Sequence, residues 1–151
     1  MSESKYPVDF DYLWLASDRV GHVATFTTGA TGPIPATALV QSLGNEETIE
    51  ECLGVVSERA GYKMHVEMPI PNDYSEFAQK GFFTYDWTDV NKVKIVKTGK
   101  YEIISTPVDL IIVDELPILL KEIVSRTRFA DISFSECQEI DVRNTFNCIE
   151  E

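Results

Sequence analysis

Positive charge is scarce in this sequence. Its 151 residues include 13 lysines and arginines against 25 aspartates and glutamates, and the formal net charge at pH 7 is −12. Binding of nucleic acid requires clustered basic side chains that neutralise phosphates, and here such contacts would act against a repulsive field. The composition therefore opposes nucleic acid as a partner and favours a basic protein.

Long hydrophobic runs are also missing. No segment approaches the roughly 18 apolar residues that a membrane helix needs, and the first residues carry Glu3 and Asp9 where a secretory signal peptide has basic residues. We therefore expect a cytoplasmic protein with no membrane association. Hydrophobic residues make up 44% of the chain and aromatic residues 11%, which is enough for the core of a single domain spanning residues 1–151.

Histidine and cysteine are too few and too scattered to indicate a metal site. His22 and His65 lie in no ligand pattern, and Cys52, Cys137 and Cys148 have none of the close spacings of a zinc site or a redox motif. An odd number of separated cysteines indicates free or buried thiols, not a disulfide framework. We expect no metal and no other cofactor.

A hydrophobic stretch near the start of the chain, from Asp9 to Thr28, predicts a β-hairpin. Trp14 and Leu15 belong to a first arm in which both alternating faces are apolar, as in a strand that is covered on both sides. We interpret this arm as a central strand of the sheet. Gly21 ends a polar turn, after which the arm from His22 to Thr28 is expected to pair antiparallel with the first.

The rest of the chain mixes helix and strand patterns without strict alternation. Apolar residues at helical spacing predict helices near residues 36–43 and 46–56 and from Asp114 onward. A second hairpin is predicted at 93–106 and a last strand at 129–134. The two hairpins favour an antiparallel or mixed sheet with about three helices packed on it, an α+β architecture.

The second predicted helix begins with a dense acidic segment. Four carboxylates lie within six residues, at Glu46, Glu47, Glu50 and Glu51, and side chains four apart stack on one strip of a helix. Such a segment is usually a solvated face that the helix dipole stabilises. With a net charge of −12 it is also our candidate for the surface that contacts a basic partner.

A second candidate for partner binding is the turn that holds Asp86, Trp87 and Asp89. An exposed tryptophan between carboxylates is a typical interface anchor. The alternative interpretation is that Trp87 simply packs at the end of its strand.

An alternative of another class is a small hydrolase or ligand-binding enzyme with a pocket around Asp18, His22 and the loop from Gly29 to Pro35. His22 would be a base held by the nearby carboxylate, and a glycine-rich loop before a helix invites comparison with a phosphate site. However, Pro33 and Pro35 remove two N–H donors and the G-x-G-x-x-G spacing is absent. The loop is therefore better explained as structural.

Several short motifs occur over most of the chain. They are Trp14-Leu15-Ala16, Gly21-His22-Val23-Ala24, Phe26-Thr27-Thr28, Gly32-Pro33-Ile34-Pro35, Tyr85-Asp86-Trp87-Thr88-Asp89, Tyr101-Glu102-Ile103-Ile104 and Asp114-Glu115-Leu116-Pro117. Together they resemble a family of short uncharacterised bacterial proteins, a resemblance that implies no catalytic residue. In size and acidity the chain is similar to immunity proteins that neutralise toxins. We therefore expect a binding protein, not an enzyme, that occludes the active or substrate-binding surface of a basic toxin.

Overall fold

The computed structural model describes residues 6, 11–29, 31–39, 46–66, 72–87 and 99–150, which form an α+β architecture. The helices in these ranges are α1 (Ala36–Leu39), α2 (Glu46–Gly54), α3 (Asn72–Gln79) and α4 (Ile118–Arg126). The strands are β1 (Leu13–Ser17), β2 (Val23–Thr27), β3 (Ile34–Pro35), β4 (Tyr62–Met64), β5 (Phe83–Trp87), β6 (Tyr101–Pro107), β7 (Glu139–Ile140) and β8 (Cys148–Ile149). None of these helices has the length and apolar character that crossing a bilayer requires.

Six of the strands form one mixed sheet in the order β1-β2-β5-β6-β4, with β7 pairing with β6 outside this path. β1 and β2 are antiparallel, with Leu13 opposite Thr27 and Ser17 opposite Val23. β2 runs parallel to β5, whereas β5 and β6 are antiparallel. β2 and β5 are therefore interior strands of this sheet. A separate two-stranded sheet is formed by β3 and β8.

β1 is the terminal strand of the described sheet, so the prediction that it is central is wrong. Trp14 and Leu15 are nevertheless fully buried. The outer edge of β1 is paired at its last residue, since Ser17 N donates to Thr127 O at 3.0 Å and Phe129 N donates to Ser17 O at 2.8 Å. An apolar pattern on both faces indicates layers above and below a strand, but it does not fix the position of that strand along the hydrogen-bonding direction.

Two hydrophobic layers cover the two faces of the sheet. Leu13 and Leu15 pack with side chains of α2, α3 and α4. Trp14 and Phe26, whose rings stack at 4.1 Å, point to the opposite face. The C-terminal part of the chain closes that face with Phe129, Phe134, Ile140 and Val142.

Helix α4 begins at Ile118, not at the predicted Asp114. Residues Val113–Glu115 form a 3₁₀ turn, and Leu116 and Pro117 have extended backbone with ψ of 152° and 151°. The reason is steric, because the residue before a proline is disfavoured in the helical region. Pro117 then serves as the residue that precedes the helix.

Two other predicted strands have different outcomes. The strand predicted at 129–134 is wrong, because residues 129–133 form no strand and Phe134–Glu136 is a 3₁₀ turn. The strand-like pairing nearby is limited to an isolated bridge between Arg128 and Ser17. The first arm of the second hairpin, residues 93–96, lies outside the described residues. Its predicted partner is β6, which pairs with β4, β5 and β7.

Candidate functional site

A cavity of about 220 Å³ opens beside α2, the helix that carries the predicted acidic residues. Carboxylates reach it from three segments: Asp11 precedes β1, Glu50 lies on α2, and Glu76 lies on α3. The rest of the lining is Leu13, Thr27, Leu53, Gly54, Phe77 and Lys80. We call this the acidic cavity, and its lining combines three carboxylates with three apolar side chains, a threonine and a lysine.

Lys80 supplies a positive charge to the lining, but contacts within the protein already compensate that charge. Its Nζ atom is buried, donates to Leu53 O at 2.8 Å and lies 3.6 Å from Glu76 Oε1. A buried ammonium requires such partners, because its desolvation is costly. Lys80 therefore ties α3 to α2 and offsets Glu76, while Asp11 and Glu50 leave the cavity with a negative surplus.

A partly buried polar cluster joins the acidic cavity through Thr27. Thr27 Oγ1 donates to Asp86 Oδ1 at 2.9 Å and lies 3.3 Å from the Tyr74 hydroxyl. Burial raises the pKa of the Asp86 carboxyl, and the carboxylate of Asp11 raises it further. Burial likewise raises the pKa of Tyr74, with Asp86 as the second cause. The cluster fixes the orientation of Thr27 in the cavity wall.

The predicted partner-binding turn is not an exposed surface in its described part. Asp86 and Trp87 are the last residues of β5 and are only 4% and 6% exposed. The Trp87 ring packs 5.1 Å from the Tyr101 ring, and the Arg143 guanidinium lies 5.9 Å from its centre. The exposed-turn interpretation is therefore wrong for these two side chains, and the alternative, packing at the strand end, is confirmed. Asp89 lies outside the described residues.

Helix α2 presents its predicted acidic face where its side chains are described. Glu50 and Glu51 are exposed, whereas Ile49 and Leu53 are buried toward the core. Glu46 and Glu47 lie in the first turn of the helix, and their side chains lie outside the description. The acidic cavity was not predicted from the sequence, because no local pattern relates Glu50 to Asp11 and Glu76, which the fold places around the same cavity.

Asp18 and His22 do lie close together, but the carboxylate is occupied by backbone donors. Asp18 Oδ1 accepts from Val20 N at 3.0 Å and from His22 N at 2.9 Å, and Oδ2 accepts from Phe134 N at 2.7 Å. His22 Nδ1 lies 3.5 Å from Asp18 Oδ2, a distance that is too long for a well-formed hydrogen bond. This nitrogen has no hydrogen-bond partner. Asp18 thus organises the β1–β2 turn and fixes Phe134 to it.

Gly32, Pro33, Ile34 and Pro35 in the loop from Gly29 to Pro35 are buried, whereas Thr31 is exposed, and Ala30 lies outside the described residues. A Cβ atom on Gly32 would lie 2.7 Å from the Tyr101 hydroxyl oxygen. Tyr6 donates its hydroxyl to Gly32 O at 2.6 Å, and Tyr101 donates to Pro33 O at 2.8 Å. Its carbonyls therefore accept bonds from the core, a structural arrangement unlike a nest of free N–H groups.

A smaller cavity of about 110 Å³ brings His65 and Cys137 together, which no sequence motif indicates. Burial lowers the pKa of His65, and Lys63 adds to the effect. Burial raises the pKa of the Cys137 thiol, and Glu136 adds to that effect. Near neutral pH both groups are therefore uncharged, which does not suit a thiolate nucleophile activated by an imidazolium.

Neither metal-ligand geometry nor likeness to other proteins assigns a function. Across the described ranges, no three side chains of histidine, cysteine, aspartate or glutamate are grouped as ligands for a metal ion. Comparison of the chain with protein-family models, with curated proteins and with solved structures finds no match. The resemblance seen in the sequence motifs therefore stays a prediction, and the functional argument rests on the geometry of this chain.

Proposed function

We propose that this protein binds a basic protein partner in the cytoplasm through a surface centred on α2, and that it neutralises this partner as an immunity protein neutralises a toxin. The acidic cavity is the observation that carries the proposal. Its carboxylates converge from the segment before β1, from α2 and from α3 on a space whose lining also includes Leu13, Leu53 and Phe77. Such a space suits one long cationic side chain of the partner.

The chemistry of the lining matches lysine or arginine. Leu13 and Phe77 contact the apolar stem of such a side chain, while Asp11 and Glu50 meet its charged head. Asp11 is already oriented, because its Oδ1 accepts from Gly29 N at 2.8 Å. Arginine in a desolvated pocket is a frequent hot spot of protein interfaces.

The net charge of −12 supports the same function at longer range. A strongly acidic protein steers a basic partner toward itself and accelerates association at low ionic strength. A toxin that acts on nucleic acid or another anionic substrate has a basic active surface. Covering that surface with carboxylates blocks the substrate by occupying its site.

Binding is favoured over the enzymatic alternative by the geometry of its candidate residues. Asp18 is fully buried and already accepts three backbone hydrogen bonds. Neither Asp18 nor His22 belongs to the lining of the acidic cavity or of the His65–Cys137 cavity. A hydrolase built on this pair would need a substrate space beside it.

A charge reversal with a matched control tests the proposal. In Glu50→Lys/Glu51→Lys the acidic cavity loses a carboxylate, and in Glu122→Lys/Asp131→Lys the same net charge changes at exposed positions elsewhere. The protein partner to test is the product of the adjacent gene. The first variant should weaken that binding by roughly 100-fold and reduce its dependence on salt, and the second by less than about 5-fold.

The biological side of the proposal has its own measurement. Co-expression of the protein with the adjacent gene product should relieve any toxicity of that product, and Glu50→Lys/Glu51→Lys should abolish the relief while the melting temperature stays near that of the parent. Equal binding by both double variants would remove α2 from the interface. No binding and no protection with the parent protein would refute the immunity function.

A further inference from the structure

A second concave surface begins where the acidic cavity ends. Leu53 and Gly54 line the acidic cavity, and the next residues, Val55 and Val56, line an open groove of about 440 Å³. The opposite side of the groove is the segment before α4, with Ile111, Leu116 and Pro117. We call this the apolar groove. It is continuous with the surface proposed above, because both surfaces lie along the C-terminal end of α2.

One large hydrophobic side chain of the groove lining is exposed, and a second lies next to the lining in sequence. Val55 is 71% exposed, and Ile118, which follows Pro117 at the start of α4, is also 71% exposed. Below them Val56, Ile111 and Leu116 are buried and form a firm floor. Exposed aliphatic side chains around a concave apolar floor are typical of protein docking sites.

The charges around the groove define the kind of partner that fits it. Arg59 in the lining is occupied, since its guanidinium lies 3.4 Å from Asp109 Oδ2 and 3.5 Å from Glu115 Oε2. These two carboxylates exceed its single charge by one. The rim of the apolar groove is therefore negative.

We propose that the apolar groove receives an amphipathic helix of the partner that carries lysine or arginine beside its apolar stripe. This inference rests on the proposed function and extends it, because it supplies the apolar contact that charge attraction lacks. Apolar side chains at helical spacing would contact the floor, and the flanking cations would lie over Glu115 and Asp109. The acidic cavity, next to the groove, would then accept one cationic side chain from the same partner.

A synthetic peptide tests the groove without knowledge of the natural partner. The probe is a fluorescein-labelled, helix-forming peptide of leucine and lysine with one apolar face, and the matched probe has glutamate in place of lysine. Binding is measured by fluorescence anisotropy. The variant Val55→Ser/Ile118→Ser keeps the charge of the protein and removes apolar surface at the lining residue Val55 and at Ile118, which follows the lining residue Pro117. Val20→Ser makes the same kind of change at an exposed position of the β1–β2 turn, outside the lining.

We expect Val55→Ser/Ile118→Ser to weaken binding of the lysine peptide at least about 10-fold and Val20→Ser to leave it unchanged. The glutamate peptide should not bind. Equal affinity of Val55→Ser/Ile118→Ser and the parent would overturn the groove proposal, while loss of binding in Glu50→Lys/Glu51→Lys would still support the acidic surface. Dimerisation of the parent in sedimentation equilibrium, abolished by Val55→Ser/Ile118→Ser, would assign the groove to a second copy and also overturn it.

Discussion

Gly81 is a position where a single methyl group should have a large and separable effect. It lies between α3 and β5 with a φ of +104°, and an added Cβ would meet Ile111 N at 2.6 Å and Ile111 Cβ at 2.8 Å. Ile111 cannot withdraw freely, because its N donates to Gly81 O at 3.2 Å. Ile111 is also part of the floor of the apolar groove.

The expected loss in Gly81→Ala is the sum of three contributions. A side chain at positive φ costs about 1–2 kcal/mol, and forcing the methyl group against packed atoms costs about 1–3 kcal/mol. Loss of glycine entropy in the unfolded chain acts in the opposite direction by about 0.4–1 kcal/mol. The free energy of unfolding should therefore fall by about 3 kcal/mol, within a range of about 1–5 kcal/mol, which is a large share of the 5–15 kcal/mol of an ordinary domain.

Two other glycines separate the backbone contribution from the steric one. Gly21 has a φ of +91° but no atom within 4 Å of an added Cβ, so Gly21→Ala should lose only about 1 kcal/mol. Gly54 ends α2 without positive φ and also faces open space. Gly54→Ala should therefore stabilise the protein by up to about 1 kcal/mol.

The free energies of unfolding of all three variants and the parent are measured by urea denaturation, with circular dichroism as the signal. In thermal melts, the melting temperature of Gly81→Ala should fall by roughly 6–12 °C for a loss near 3 kcal/mol, at about 2–4 °C per kcal/mol for a chain of this size. If Gly81→Ala and Gly21→Ala lost the same free energy within about 0.5 kcal/mol, the steric argument at Ile111 would be refuted. Destabilisation by Gly54→Ala would refute the reasoning about open space.

Two further predictions concern buried side chains of the sheet. Asp86→Asn keeps an acceptor for Thr27 and removes the acid. The pKa of the Asp86 carboxyl is raised above 3.8 in the folded state, so the native protein keeps the carboxyl proton to higher pH than the unfolded chain does. The parent should therefore lose stability as pH rises from about 4 through the raised pKa, and the variant should gain stability relative to the parent over that window. A constant difference in urea titrations at several pH values would contradict this. Trp14→Ala removes the ring stack on Phe26 and the hydrogen bond from Trp14 Nε1 to the Tyr101 hydroxyl. The free energy of unfolding should fall by roughly 3–5 kcal/mol. A melting temperature within a degree or two of the parent would show that the site is less tightly packed than the structure indicates.

Local patterns predicted what depends on neighbouring residues. The apolar stripe of α2, with Ile49 and Leu53, and the exposure of Glu50 follow from helical spacing. The strand that the sequence interpretation ends at Trp87 is β5, Phe83–Trp87. Such features are set within a few residues, so periodicity alone identifies them.

Features that depend on distant parts of the chain were not predicted. Asp86 looks like a surface residue in the sequence, yet it is buried on the interior strand β5, where Thr27, 59 positions away, donates to its carboxylate. The outer position of β1 depends on where Thr127 and Phe129 lie. The acidic cavity likewise depends on Asp11 and Glu76, which line it together with Glu50 from other parts of the fold. The spacing of these three residues along the chain does not predict that they lie around one cavity.

The parallel pairing of β2 with β5 has a consequence for how the chain folds. Asp18 N donates to His22 O across the β1–β2 turn, so that hairpin closes a short loop, whereas Thr27 and Asp86 are 59 positions apart. Closing the longer loop costs roughly 2 kcal/mol more in chain entropy. We therefore expect the β1–β2 hairpin to form first in stopped-flow refolding, with variants in its turn slowing folding more than variants in β5. Until β5 arrives, the inner edge of β2 presents unpaired backbone groups, and that interval is when the nascent chain is most exposed to aggregation.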